Sequence, residues 1–231
     1  MVKIPTIEEM LKAGMHFGHQ KSKWHPRMAP YIFTDRKGVH IIDLTKSQKM
    51  LKNALELMKN LTKEGKVILF VGTKSQVKAP ITKMAKELDV PYVTGKWLGG
   101  LLTNFGTIKK SIKKYIDLVE KKSSGKLDKY TKKERLEIDR QIGKLELKVG
   151  GVSKLNKLPD VLFVWDVKNE GTAIAEATKM EIPIIAVCDT NVNPKFIKHI
   201  IPSNDDATKT IKLVLKLVQT AIQEGKDEIK K

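Results

Sequence analysis

Three short apolar runs do most to restrict how this chain can fold: KVILFVG at 66–72, DVLFVWD at 160–166 and IPIIAVCD at 182–189. Each is continuous rather than alternating, the pattern of a strand covered on both faces. Around them the apolar spacing changes to threes and fours, over 75–88 and 170–180, the period of a helix with one buried stripe. Buried strands alternating with amphipathic helices predict an α/β fold with a doubly wound parallel sheet. PYVT (91–94) and KHIIP (198–202) read as further short strands. Asn204 or Ser203 then caps a C-terminal helix of about 20 residues, with Asp205 and Asp206 near its positive end.

Ahead of this pattern, Thr6 and Glu9 form a capping box for a helix from Ile7 to near Gly14. HFGHQKSKWHPRMAP (16–30) reads as an extended basic loop. YIFT and GVHIID read as strands about the turn Asp35-Arg36-Lys37-Gly38. From Asp43 or Thr45 to about Lys63, Met50, Leu51, Ala54, Leu55, Met58 and Leu61 recur at helical spacing, and Gly65 supplies a stop.

One block interrupts the alternation. Phe105, Ile108, Ile112, Tyr115, Ile116 and Val119 give one helical stripe, Ser123-Ser124-Gly125 breaks it, and Leu136, Ile142, Leu145 and Val149 give a second. The expected object is an antiparallel helical hairpin whose narrow stripes bury mainly against each other. The chain is thus read as a globular α/β domain (1–104 and 158–231) with an inserted basic hairpin (105–157).

Charge follows this division. The net charge is +18, of which residues 105–157 carry +9 from 16 basic and 7 acidic groups. Residues 1–40 carry +4 and 41–104 carry +6, while 158–231 carry −1. Such a field destabilises a compact chain by self-repulsion unless an anionic partner meets it, and nucleic acid, with a phosphate at every nucleotide, is the usual partner. Forty of the 44 basic residues are Lys, suited to phosphate rather than to bidentate base reading. Cys188 is the only cysteine, so an internal disulfide framework is excluded and a reducing compartment expected. No signal-peptide pattern or run of about 18 apolar residues occurs. The expected location is cytoplasmic, although a mature organellar protein would read the same way.

Four motifs carry candidate chemistry. HFGHQKSKWHPRM (16–28) interleaves histidines, Lys21, Lys23 and Arg27 with Trp24, a combination suited to phosphates and an unstacked base. Phe17 and Trp24 could instead plug the core. A metal at His16, His19 and His25 fits no known ligand spacing, so no metal is firmly predicted. VGTKSQ (71–76) joins a strand to a helix, where backbone N–H groups favour an anion; Lys74 there meets a phosphate or faces water. GKWLGGLLTNFGTI (95–108) pairs glycines with Trp97, fitting packing at the hairpin base. Asp166, Asp189, Asp205 and Asp206 include residues at predicted strand ends, where α/β enzymes place their chemistry. No G-x-G-x-x-G or G-x-S-x-G motif accompanies them.

Taken together, AGMHFGHQKSKWHPRM, IFTDRKGVHIIDL, ILFVGTKSQ, WLGGLLTNFGTI, GGV at 150–152, LPDVLFVWD, IPIIAVCDTN and IPSNDDATKTI, in this order, resemble the bacterial-type family of the second protein of the small ribosomal subunit. The resemblance runs from about Thr6 to Glu224. Departures from the family pattern fall at His25, Lys96, Val167 and Ser203. The resemblance implies a flavodoxin-like sheet with an inserted coiled-coil arm and a structural, non-enzymatic role on small-subunit ribosomal RNA. It also implies neighbouring small-subunit proteins as partners, including the largest one, which captures messenger RNA.

The expected RNA-facing residues are Lys21, Lys23, Trp24, His25, Arg27, Arg36 and Lys37 on one edge, and Lys109, Lys110, Lys113 and Lys114 near the arm's base, with Lys74 and Lys96. Asp189, Asp205 and Asp206 are expected to dock a partner protein, with or without a bridging cation. No cofactor, membrane or small-molecule substrate is expected. The alternatives are a flavodoxin-like nucleotide- or flavin-binding enzyme and a general RNA chaperone.

Overall fold

The structure, a computed structural model, describes residues 3–127 and 130–229. Asp128 and Lys129, in the predicted hairpin loop, lie outside the described residues. The elements run α1 (Ile7–Ala13), β1 (Phe17–Gln20), β2 (Ile32–Arg36), β3 (Val39–Ile42), α2 (Leu44–Lys63), β4 (Ile68–Val71), α3 (Ser75–Glu87), β5 (Tyr92–Val93), α4 (Phe105–Ser123), α5 (Lys132–Val149), β6 (Val161–Trp165), α6 (Gly171–Lys179), β7 (Ile184–Cys188), β8 (His199–Pro202) and α7 (Thr208–Ile229). The main sheet has the order β5-β4-β6-β7-β8, every pair parallel. This is the doubly wound, flavodoxin-like order expected of such a chain.

The three apolar runs form β4, β6 and β7, and every residue in those strands is buried. Side chains alternate across a strand, which divides the core in two. Phe70, Phe163 and Trp165 face a layer containing Leu51, Leu55 and Val214. Leu69, Val71, Leu162 and Val164 face Ala173, Ala177 and the residues that seat the arm. The capping box at Thr6 is present, with Gly14 in the left-handed conformation at φ 82°, and Asp43 caps α2.

Three sequence expectations change. Phe17–Gln20 is a strand rather than loop, pairing antiparallel with β3 in a second sheet of order β1-β3-β2. Two short 3-10 turns, Lys21–Lys23 and Pro26–Tyr31, follow it. Distant partners hold this polar segment: Thr190 Oγ1 accepts from the His19 amide at 2.9 Å, and the Thr190 carbonyl accepts from the His25 amide at 2.8 Å. Second, α7 begins at Thr208, because Asn204 Oδ1 takes the amides of Asp206 and Ala207 and caps the approach turn instead. Third, the stripes of α4 and α5 do not bury only each other. Phe105, Ile108, Tyr115 and Leu145 pack against the main core, whereas Ile116, Val119 and Leu136, farther along, are exposed. Gly151, just beyond α5, seats the arm: a Cβ there would lie 2.2 Å from the Tyr92 carbonyl of β5.

Candidate nucleic-acid interface

The N-terminal basic segment projects its cations because one residue anchors it. Met28 is fully buried, while Phe17 and Trp24 are 50% and 37% exposed. The core-plug role belongs to Met28, and the aromatics are left at the surface. Lys21, Lys23, Arg27, Arg36 and Lys37 are exposed and His25 half-buried. The Trp24 ring lies 5.2 Å from that of buried His40, which backs the indole. His25 Nδ1 accepts the Arg27 amide, and Arg27 Nη1 donates to Asn193 Oδ1 at 3.2 Å. Lys37 and Gly38, both at positive φ, form the tip of the β2–β3 turn. Phe33, 75% exposed, joins this surface; alternation along a short strand could have marked it as outward-facing.

At the arm's base, Lys109, Lys110, Lys113 and Lys114 are exposed on α4. Lys109 Nζ donates to the Asn156 carbonyl at 3.1 Å. Lys96 is exposed beside buried Trp97. The Trp97 loop is organised by Glu176 of α6, whose buried carboxylate accepts from Trp97 Nε1 (3.0 Å), the amides of Gly100 (2.8 Å), Leu102 (3.0 Å) and Thr103 (3.1 Å), and Thr103 Oγ1 (3.2 Å). Burial opposes the charge on Glu176, but these donors override it and hold its carboxyl below the usual value. Paired glycines let the chain wrap the carboxylate: Gly100 sits at φ 87°.

Lys74 is placed elsewhere. Its Nζ lies 2.6 Å from Asp206, 2.9 Å from Asp205 and 3.7 Å from Asp166, with only 16% of the side chain exposed. The phosphate expected at Lys74 is replaced by carboxylates from the ends of β6 and β8. Burial alone would lower the Lys74 pKa, but hydrogen bonds to Asp206 and Asp205 raise it. Burial, then the charge of Asp189, pushes Asp205 up to about 6. Asp189 and Asp205 are buried and Asp206 exposed, so of the three expected docking aspartates only Asp206 offers its carboxylate at the surface.

The three histidines do not converge. His16 packs on Phe17, His25 caps Arg27, and His19 enters the acidic crevice, with Nδ1 3.1 Å from Asp189 and Nε2 3.8 Å from Asp206. The hydrogen bond to Asp189 outweighs burial and raises the His19 pKa. Among the described residues, His19, Asp205 and Asp206 each offer one ligand atom, and these atoms lie within 4.8 Å of one another.

This geometry can be set beside known proteins. Residues 10–225 match the model of the family described as ribosomal protein S2. The chain belongs to the ribosomal protein S2 family. Curated relatives of the family named small ribosomal subunit protein uS2 include that of Porphyromonas gingivalis, 47% identical over 220 residues, covering 95% of this chain and 78% of the relative. That of Flavobacterium johnsoniae is 46% identical over 219 residues, covering 95% and 86%. That of Helicobacter hepaticus is 44% identical over 225 residues, covering 97% and 85%. The S2 family consists of small-subunit ribosomal proteins, not enzymes, and the structure supplies a physical counterpart. In a flavodoxin-like sheet the first βα turn at the strand switch receives a phosphate. Here the Thr73 amide at that turn donates to the buried Glu170 carboxylate at 2.7 Å, so the chain's own anion occupies the position. Burial foremost raises the Glu170 pKa. Among the described residues, no helix is long and apolar enough to cross a membrane.

Proposed function

We propose that this S2-family chain binds small-subunit ribosomal RNA through two basic surfaces: the Lys21–Lys37 edge, with Trp24 as its stacking platform, and the base of the arm on α4. The observation that carries this reading is the contrast in lysine pairing. Lys74 is sealed among aspartates, whereas Lys110, Lys113 and Lys114 stand exposed with no carboxylate partner among the described residues. Unpaired cations on α4 supply phosphate contacts, and on the other edge the exposed Trp24 indole adds base stacking. Lys109, Lys110 and Lys113 changed together to Glu should leave the chain folded and deplete it from small subunits in gradient sedimentation. Normal occupancy after a high-salt wash would reject the arm surface.

Docking of the largest small-subunit protein is a second reading. It is favoured by exposed Phe33 and Phe17 and by the one surface carboxylate of the crevice, Asp206. The buried pair Asp189 and Asp205 then acts by holding His19 and Lys74 beneath that surface. Asp206→Asn should lower occupancy of the largest protein while leaving this chain bound; unchanged occupancy would rule the crevice out as a dock.

A further inference from the structure

A separate cleft of about 620 Å³ opens between α6 and the segment after β7. That volume falls within the range of small-molecule clefts, about 300–1,000 Å³. Val167, Ile174, Ala175 and Val192 give it apolar walls, and Phe196 stands at its rim with half its surface exposed. Its charged lining residues are Lys168 and Lys179, with no carboxylate. A third cation, Lys195, holds its Nζ 5.2 Å from the centroid of the Phe196 ring.

Two observations point to what fits there. Asn191 lines the cleft, and its Oδ1 is buried without a hydrogen-bond partner. An amide oxygen is an acceptor only, so the Asn191 Oδ1 is an unmet acceptor at the cleft wall, suited to an N–H donor on a bound group. The cleft also adjoins the proposed RNA edge: Asn193, one of its walls, accepts from Arg27 and from the Lys195 amide.

We propose that this cleft receives one unpaired RNA nucleobase, stacked at Phe196 and hydrogen-bonded by the Asn191 amide, with the flanking phosphates on Lys168 and Lys179. The apolar slot takes the base's π-face, the amide takes its polar edge, and the cationic rim takes the backbone. An apolar protein segment would leave the Asn191 oxygen and the Lys168 and Lys179 ammonium groups unmet. The inference rests on the RNA-binding reading above and adds a base-specific element to a surface otherwise read as phosphate-directed.

The test uses the full chain and two probes, a short single-stranded oligoadenylate and a ribose-phosphate oligomer of equal length lacking bases. Wild type should bind the base-carrying probe more tightly. Phe196→Ala should weaken that binding about five- to a hundred-fold, as base–aromatic stacks do on truncation, and should bring the two probes close to equal. Asn191→Ala should produce a smaller loss in the same direction. Lys168→Ala and Lys179→Ala should each lower the salt slope by about 0.7, the value for one phosphate on a single strand. Phe196→Ala should leave that slope and the thermal midpoint unchanged. If wild type binds oligoadenylate but Phe196→Ala and Asn191→Ala match it, the slot is rejected and the RNA-binding reading survives. If those variants spare RNA binding but release a neighbouring small-subunit protein from ribosomes, the occupant is a protein and the proposal is overturned. If wild type binds neither probe while Lys109, Lys110 and Lys113 also prove dispensable for subunit entry, both readings fall.

Discussion

Lys74 and Lys110 carry the same charge in opposite settings. One lies behind the ends of the parallel strands, held by Asp205 and Asp206; the other stands on the outer face of the arm's base. In the crevice charge is spent inside the molecule, where desolvation makes every unmatched group costly. At the arm's base Lys110, Lys113 and Lys114 are left unmatched in water, where a lysine costs little and stays available to a polyanion, whereas farther along Lys121 and Lys122 pair with Asp117 and Asp139. A net charge of +18 therefore describes neither region. The useful quantity is how much positive charge is left after internal pairing, and where it stands.

The contrast can be broken most forcefully from the inside. Glu176→Ala removes the acceptor of five donors around the Trp97 loop. Truncating one side of a buried charged network costs about 3–5 kcal/mol, so denaturant unfolding should show a loss of that order. A loss below about 1 kcal/mol, the net worth of a single ordinary hydrogen bond, would mean that the loop finds other acceptors. Lys74→Ala should cost about 3 kcal/mol by leaving Asp205 and Asp166 without their cation, and RNA affinity should not change beyond what that instability explains. A specific RNA defect in a folded Lys74→Ala protein would return Lys74 to the phosphate-binding set.

The outer side gives the next effect. The triple change of Lys109, Lys110 and Lys113 to Glu should weaken ribosomal RNA binding by on the order of a hundred-fold and lower the salt slope by about 2–3. The same protein should unfold at nearly the wild-type temperature.

The smallest effect is a pH dependence, and it separates two buried carboxylates. Glu176 has a lowered native pKa, so its stabilisation is present above its unfolded value of about 4.5 and fades as pH falls through the lower native one. Asp205 has a raised native pKa, about 6. It binds its proton more tightly when folded, so its contribution favours the folded state at low pH and is lost as pH rises from about 4 through about 6. Asp205→Asn should flatten the stability profile across that window by about 1.4–2.7 kcal/mol, the scale set by a shift of about one to two pKa units. An unchanged profile would mean that Lys74 compensates Asp205 fully.

The same division explains what could be read from the sequence. Periodicity is a local signal, and it marked β4, β6, β7 and the helices of the arm within a few residues. It failed at Phe17–Gln20, where His, Gly and Gln replace the usual strand residues and long-range hydrogen bonds to Thr190 supply the missing preference. Outward residues such as Lys110 were legible because a surface lysine needs no partner to be understood. Inward ones were not. Glu176 looks like one more polar residue in EGTAIAEATKM, and its partners lie more than 70 positions earlier. Lys74 looked like an anion-binding helix start because nothing local shows that the chain returns at 166 and 205 to fill that place with carboxylates.

Gly151 pressed against the Tyr92 carbonyl has a consequence for the sheet as a whole. β5 is only two residues long and stands at the margin of the main sheet. A bare margin of that kind is a template for another chain's strand. The residues that return from the arm lie against it, so the insertion guards the fold against self-association as well as carrying charge. A version trimmed of residues 105–157 would lose this cover along with its lysines, and its first fault should be aggregation.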